Sequence, residues 1–202
     1  AKVSFIEEEV KDIDFNLREI ILSNRPSVNY SKLVLNYGSQ TIIPKEFESL
    51  VKNRNAFSIK PFLRAYDLIQ KEDIFDSVNE LPFVIVGSGL AAIEVSYALR
   101  KRWRDRPLKL LCDSRKINNT ILKSLRNSNI DLVEKLNFDY GKILLCTGNT
   151  SPLWVQKKLL DSDSHGRIIT NQNLQLKSFS GIFAVGDCAV VDSAKRLSLI
   201  HI

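Results

Sequence analysis

Methionine is absent from this sequence, and histidine and cysteine are scarce. Without a methionine the stretch holds no initiator, and we read it as an internal piece of a longer protein. The three cysteines, Cys112, Cys146 and Cys188, stand far apart with no C-x-x-C spacing, which argues against a metal site or a local redox pair. Each lies in or just after an apolar run, where a free thiol acts as a small core residue, and this suits a reducing cytoplasm. No run approaches the ~18 consecutive apolar residues of a membrane-spanning helix, and the N-terminus lacks the basic-then-apolar layout of a signal peptide. Repeats and low-complexity tracts are also missing. The formal charge of +6 has its densest run at Arg100, Lys101, Arg102, Arg104 and Arg106, but no aromatic ladder accompanies it for stacking bases. We read these cations as closing a helix, where they complement the negative end of its dipole, and expect no nucleic-acid partner. His165 falls in the polar turn Asp163-Ser164-His165-Gly166 and is expected in solvent without a role.

What is present describes an ordinary globular chain, 44% hydrophobic and 26% charged, large enough for one good core or two small ones. Val3 to Val10 and Arg18 to Leu22 read as strands joined by the turn Asp14-Phe15-Asn16, with a third strand from Lys32 to Tyr37 stopped by Gly38-Ser39. Phe62, Ala65, Tyr66 and Ile69 recur at helical spacing, which predicts a one-faced helix over Pro61 to Gln70. From Phe83 the pattern becomes strand (to Val86), glycine-rich turn, helix (Leu90 to Arg102) and strand (Leu108 to Cys112), a βαβ signature. The lack of polar alternation in Phe83-Val84-Ile85-Val86 points to a parallel sheet covered on both faces. Further elements are expected at Thr120 to Asn127 (helix), Ile130 to Val133 and Lys142 to Cys146 (strands), Ser151 to Leu160 (helix) and Gly181 to Val185 (strand).

The strongest local signal is Gly87-Ser88-Gly89-Leu90-Ala91-Ala92, a G-x-G-x-x-A between a buried strand and a helix. Gly87 allows the tight turn, Gly89 lets a pyrophosphate approach the backbone, and Ala92 permits close packing of helix on strand. The free N–H groups at the helix N-terminus then face the phosphates. An acidic residue follows the second strand: Asp113 can accept hydrogen bonds from both ribose hydroxyls of an adenosine, although Asp113-Ser114 also suits a plain polar turn. Arg115 and Lys116 beside it could instead welcome a 2′-phosphate.

Four stretches in order resemble the FAD-dependent pyridine nucleotide oxidoreductases, which carry two interleaved dinucleotide-binding domains. Leu33 to Ser39 resembles the strand that returns the chain to the flavin, and Val84 to Glu94 the inserted nicotinamide-nucleotide fingerprint. Ile143 to Gly148 resembles the strand that closes that domain, and Gly181 to Asp187 the second FAD motif. The resemblance implies that Asp187 binds the ribityl chain of the flavin and that Glu94 lies near the two reacting rings. An acidic residue in the first turn of a helix would serve the dipole equally well. Gly38 and Gly148 bring backbone close to cofactor on the same resemblance, or simply end their strands. The loop Asn24-Arg25-Pro26, Tyr30 and the helix after Lys60-Pro61 look most like type II NADH dehydrogenases, including forms fused to selenide, water dikinase. The first FAD fingerprint and a C-terminal domain are not in the stretch, Asn129 to Tyr140 is short for its counterpart, and the tail Leu197 to Ile202, with His201, does not fit the pattern.

The expected fold is therefore α/β, a Rossmann-like NAD(P)H-binding βαβ domain inserted in an incomplete FAD-binding α/β domain. Its parts are residues 1–45 (partial FAD-binding domain), 46–80 (connector with helix), 81–148 (NAD(P)H-binding domain) and 149–202 (partial FAD-binding domain with the second motif). Expected cofactors are FAD and NAD(P)H, with NADH favoured by Asp113. The cofactors carry the chemistry, so no catalytic residue or metal ligand is assigned. The resemblance implies hydride transfer from NAD(P)H to FAD and on to a small-molecule electron acceptor such as a quinone. It also allows peripheral membrane contact through a C-terminal region outside the stretch. A non-catalytic NAD(P)H sensor is the competing reading, and the Gly186-Asp187 motif weighs against it because a sensor needs no ribityl ligand.

Overall fold

The structure is a computed structural model that describes residues 3–75, 81–152, 155, 158 and 160–192. It divides into two compact units, Ala1–Ser39 with Thr150–Ile202, and Gln40–Asn149. The chain begins with β1 (Val10–Asp14), β2 (Glu19–Leu22), β3 (Val28–Asn29) and β4 (Leu33–Leu35). The continuous unit then contains β5 (Gln40–Thr41), α1 (Lys45–Lys52), β6 (Ala56–Ser58), α2 (Phe62–Glu72), β7 (Phe83–Val86) and α3 (Leu90–Arg102). It goes on through β8 (Leu108–Leu111), α4 (Asn119–Asn127), β9 (Ile130–Val133) and β10 (Ile143–Leu145). After β11 (Asn149–Thr150) at the boundary come β12 (Ile168–Thr170), β13 (Ile182–Ala184) and β14 (Ala189–Val191). The class is α/β, and the helix expected over Ser151 to Leu160 lies largely, and the tail 197–202 wholly, outside the described residues.

In the continuous unit a five-stranded parallel sheet has the order β6-β10-β7-β8-β9. All four residues of β7 are buried because both faces are covered. Phe83 and Ile85 turn to one side, with Leu108 and Leu110, against Ala92, Ile93 and Leu99 of α3 and Leu122 and Leu125 of α4. Val84 and Val86 turn to the other, with Ile143 and Leu145, against Phe47 of α1. Each such side chain stabilises the fold by about 1.5–3 kcal/mol through removal of apolar area from water. The stretch expected as a connector thus supplies an edge strand, β6, whose residues pair in register with those of β10. Among the described residues no helix is long and apolar enough to cross a membrane.

The basic run at the end of α3 and just beyond it is used locally. Arg106 is fully buried, donates through Nη2 to Glu72 Oε2 at 2.8 Å, and lies over the rings of Trp103 and Phe83 at 4.7 and 5.1 Å. Arg100 donates to the carbonyl oxygens of Trp103, Arg104, Arg106 and Asn129, and Arg102 pairs with Asp73. Only Arg100, Lys101 and Arg102 belong to the helix, so the reading of the whole run as helix-closing cations needs correction for Arg104 and Arg106.

The discontinuous unit holds an antiparallel sheet β1-β2-β3 and two parallel pairs, β13-β4 and β12-β14, around Ile13, Phe15, Leu35, Ile168, Ile182 and Cys188. Asp14 forms the hairpin turn, its Oδ1 accepting from the N–H groups of Asn16 and Leu17 at 2.9 Å. The first strand starts only at Val10. Val3 and Phe5, expected within it, are exposed and pair with no strand among the described residues, and apolar alternation without a partner strand does not make a sheet.

Candidate functional site

A parallel sheet places its ligand crevice where the strand order reverses, outside the carboxyl ends of the strands. Here the chain leaves β7 towards β8 and β9, then returns to β10 on the opposite flank of β7, so the reversal lies between β7 and β10. Both strands end there on the residues singled out from the sequence, Gly87 to Ala92 after β7 and Gly148 after β10.

The two glycines of the loop have different surroundings. Gly87 has φ +148°, and a Cβ on it would lie 2.4 Å from the carbonyl oxygen of Cys146 and 3.1 Å from Ala92 Cβ. Its N–H donates to Leu111 O at 3.0 Å, while the Cys146 N–H donates to Val86 O at 2.8 Å, so the turn is fixed from both neighbouring strands. Gly89 has an ordinary extended backbone, φ −91° and ψ 172°, and a Cβ there would meet nothing within 4 Å. Gly87 is therefore small because protein fills the space, and Gly89 adjoins open space. α3 starts at Leu90 with no side-chain cap, which leaves the N–H groups of Leu90 and Ala91 without an acceptor among the described residues. Ala92 is completely buried against the strand layer, and its carbonyl accepts from Ser96 Oγ at 2.7 Å.

Ser88 ties this loop to the next strand end, its Oγ accepting from the Asp113 N–H at 2.9 Å. The Asp113 side chain caps the turn of residues 114–116, with Oδ1 accepting from Arg115 N–H at 3.2 Å and from Arg115 Nε at 2.9 Å. Oδ2 accepts from Arg115 Nη2 at 3.1 Å and stands 3.7 Å from Lys116 Nζ. The Arg115 hydrogen bond holds the Asp113 carboxyl below the ordinary carboxylate range and raises the guanidinium in turn. Ser114 Oγ donates to Glu134 Oε1 at 2.9 Å, adding a second carboxylate at the end of β9 that the motif had not indicated. Applying the strand-end rule one strand further would have found it.

Glu94 is exposed and is the fifth residue of α3. It therefore lies beyond the first turn, and the dipole explanation for it weakens. Gly148 donates no side chain to the crevice, and its carbonyl accepts from the Ile42 N–H at 3.0 Å. Cys146 is a core residue whose thiol burial pushes up to about 12.

In the discontinuous unit β13 and β4 run parallel in register, Ile182 beside Leu33 and Ala184 beside Leu35. Gly38-Ser39 and Gly186-Asp187 consequently emerge from the carboxyl ends of adjacent strands. Gly186 has φ +71°, in the left-handed region that favours glycine, and a Cβ there would lie 2.7 Å from Asn36 Oδ1, so that side chain would have to shift. Asp187 is exposed in the single helical turn Gly186–Cys188, and Cys188 is buried beneath it, its thiol 3.0 Å from Val185 O. Burial pushes the Tyr37 phenol up to about 12, against the opposing effect of a hydrogen bond with the Ser151 side chain. His165 is exposed, its N–H donating to Asp163 Oδ1 at 2.9 Å.

Comparison with known proteins leads in the same direction as these two strand-end sites. No family model matches the chain. A probable NADH dehydrogenase of Dictyostelium discoideum is 28% identical over 82% of this chain and 47% of its own length. Ferroptosis suppressor protein 1 of Homo sapiens is 24% identical over 98% of this chain and 60% of its own. Among solved structures, a putidaredoxin reductase in covalent complex with putidaredoxin superposes with a TM-score of 0.73 at 19% identity, covering 92% of this chain and 50% of that one. The chain thus has the fold of that reductase, is similar to pyridine nucleotide oxidoreductases, and spans about half the length of the curated relatives it matches.

Proposed function

We propose that this chain supplies the NADH-binding unit and part of the flavin-binding unit of an FAD-dependent NAD(P)H oxidoreductase. The observation that carries the proposal is the contrast between Gly87, packed against the Cys146 carbonyl, and Gly89, open on the side of the free N–H groups of α3. A pyrophosphate fits that opening, and it is the group that those donors and the helix dipole favour. Asp113 would hold the adenosine ribose, positioned through Ser88, while Gly38, Ser39, Gly186 and Asp187 would face the flavin. On this reading the NAD(P)H-binding part is residues 81–148, and residues 1–45 and 149–202 are parts of the flavin-binding domain.

Nicotinamide and flavin together supply the hydride chemistry when bound, and the protein's task is to orient the rings and keep water away. Within this chain the phosphate loop binds and Asp113 selects between the two nicotinamide nucleotides. Glu94, exposed on α3 past the loop, is assigned to the region of the reacting rings. The acceptor is assigned as a small molecule such as a quinone. A redox protein is the other class, because the putidaredoxin reductase neighbour was solved with its protein partner. Three buried, unpaired thiols favour a cytoplasmic setting.

Calorimetric titration of the chain with NADH and NADPH tests this reading. We expect one site for NADH with weaker binding of NADPH, and loss of both in Gly89→Val. Retained affinity in Gly89→Val would remove the phosphate-loop assignment, and equal or tighter binding of NADPH would transfer control of selectivity from Asp113 to Arg115 and Lys116.

A further inference from the structure

The continuous unit has a cavity of about 530 Å³, lined entirely by its own residues from 51 to 72 and Lys142. That volume lies within the roughly 300–1,000 Å³ of small-molecule sites. The cavity is built between α2 and the edge strand β6. Arg64, Asp67, Leu68 and Lys71 line it, and their spacing of three, one and three residues places them on one face of α2. The neighbouring face, Ala65 and Ile69, is buried in the core, so the helix is held in place while the charged face stays directed at the cavity.

The charge in this cavity is not internally neutralised. Arg54, Arg64, Lys71 and Lys142 line it, against two carboxylates, Asp67 and Glu72. Glu72 is already matched by the buried Arg106. Asp67 stands between Arg64 and Lys71 on the helix yet closes no ion pair with either, and Arg54, Arg64 and Lys71 have no ion-pair partner among the described residues. Lys142 Nζ donates to the Arg54 carbonyl at 2.8 Å, joining the ends of the two strands on which these residues border. Arg54 itself is in the left-handed region, φ +60°, at the position after the α1 cap where glycine is the usual residue. In the parallel ladder Ile143 N–H donates to Asn55 O and Ile59 N–H to Leu145 O, so the alternation turns the N–H groups of Ala56 and Ser58 to the outer side. Val51, Phe57, Leu68 and Pro61 supply an apolar wall.

We propose that this cavity binds a small phosphate ester, its phosphates held by Arg54, Arg64 and Lys71 and its body against Phe57 and Leu68. Guanidinium groups match phosphate oxygens in pairs, and three neighbouring solvent-exposed cations without ion-pair partners among the described residues favour a ligand with more than one negative charge. The site is independent of the phosphate loop after β7, which lies at the opposite, carboxyl ends of the strands, whereas Arg54 and Lys142 precede β6 and β10.

The test is calorimetric titration of the Gly89→Val chain, in which the phosphate loop is blocked, with inorganic pyrophosphate and with ADP. Saturable one-to-one binding of pyrophosphate, matched or exceeded by ADP, is expected. Arg64→Gln and Arg54→Gly should each weaken it roughly tenfold, the usual scale for one charge-assisted contact. Arg54→Gly also relieves the left-handed backbone, so its unfolding midpoint in urea should stay level or rise, which separates lost binding from lost fold. No binding, binding unchanged in both variants, or exclusion of ADP while pyrophosphate binds would each overturn the proposal. Stronger competition from an oligoglutamate peptide than from ADP would replace it with an acidic-peptide site.

Discussion

Gly87 and Gly89 sit two residues apart in one loop, yet replacing them should affect different properties. In Gly87→Ala the new methyl would stand 2.4 Å from the Cys146 carbonyl oxygen, well inside the 3.0 Å below which something must shift. The carbonyl cannot retreat freely, because Cys146 is hydrogen-bonded to Val86 and β10 is buried on both faces. Overpacking of this kind costs about 1–3 kcal/mol. Holding alanine at φ +148° adds about 1–3 kcal/mol more, so the fold should lose about 2–6 of the roughly 5–15 kcal/mol that a domain typically has. Gly89→Val meets open space at an ordinary φ and should cost at most about 1 kcal/mol, the difference between glycine and an apolar residue at a helix N-cap. Urea unfolding followed by circular dichroism and NADH titration of both variants gives the readout. We expect a much lowered midpoint in Gly87→Ala, and a near-normal midpoint with no nucleotide binding in Gly89→Val. A wild-type midpoint in Gly87→Ala would refute the packing argument, and an NADH affinity within threefold of wild type in Gly89→Val would refute the functional one.

Arg115 occupies both Asp113 oxygens, so Arg115→Ala should free the carboxylate for a ribose diol and remove a charge that attracts a 2′-phosphate. The preference for NADH over NADPH should then rise by about three- to tenfold in paired titrations, and a fall would reverse the assigned roles. Arg106→Met leaves the Glu72 carboxylate without its buried partner and should cost about 3–5 kcal/mol in urea unfolding. The double variant Arg106→Met/Glu72→Met should recover most of that loss, and equal instability of single and double variants would show that packing on Trp103 and Phe83 dominates. Burial raises the folded Cys146 thiol to about 12, from an ordinary value near 9. A raised folded value gives stability that is complete below the unfolded pKa and is lost as pH climbs through the folded one. The unfolding free energy should therefore fall by about 1.4 kcal/mol between about pH 8 and pH 10 from this thiol alone. Cys146→Ala should flatten that slope, and an unchanged slope would assign it to other groups.

The parts of the fold that were legible in the sequence are those in which local pattern and tertiary environment agree. Phe83 to Val86 reads as a buried parallel strand because no polar residue interrupts it, and covering on both faces is what the structure contains. Gly87 to Ala92 was legible because the steric demands of a tight turn and a close helix restrict the residue types. α1 was overlooked although Phe47, Leu50 and Val51 have helical spacing, since eight residues carry only two turns of signal. The three-residue strands β6, β12 and β14 are strands only because a neighbour pairs with them, which local sequence does not record. Val3 to Glu8 shows the converse, a strand-like pattern that belongs to no strand and pairs with none among the described residues. Arg106 illustrates the same limit for charge. A basic residue in a basic run reads as solvated, and only Glu72, 34 positions earlier, together with two aromatic rings, makes its complete burial tolerable. At the strand-end site the motif indicated Asp113 but not its present hydrogen bonds. The carboxylate is engaged by Arg115 two residues on, so under the proposed function selection between nicotinamide nucleotides would be a competition between a local ion pair and a ribose. It would depend on the partner of the acidic residue as much as on the acidic residue itself.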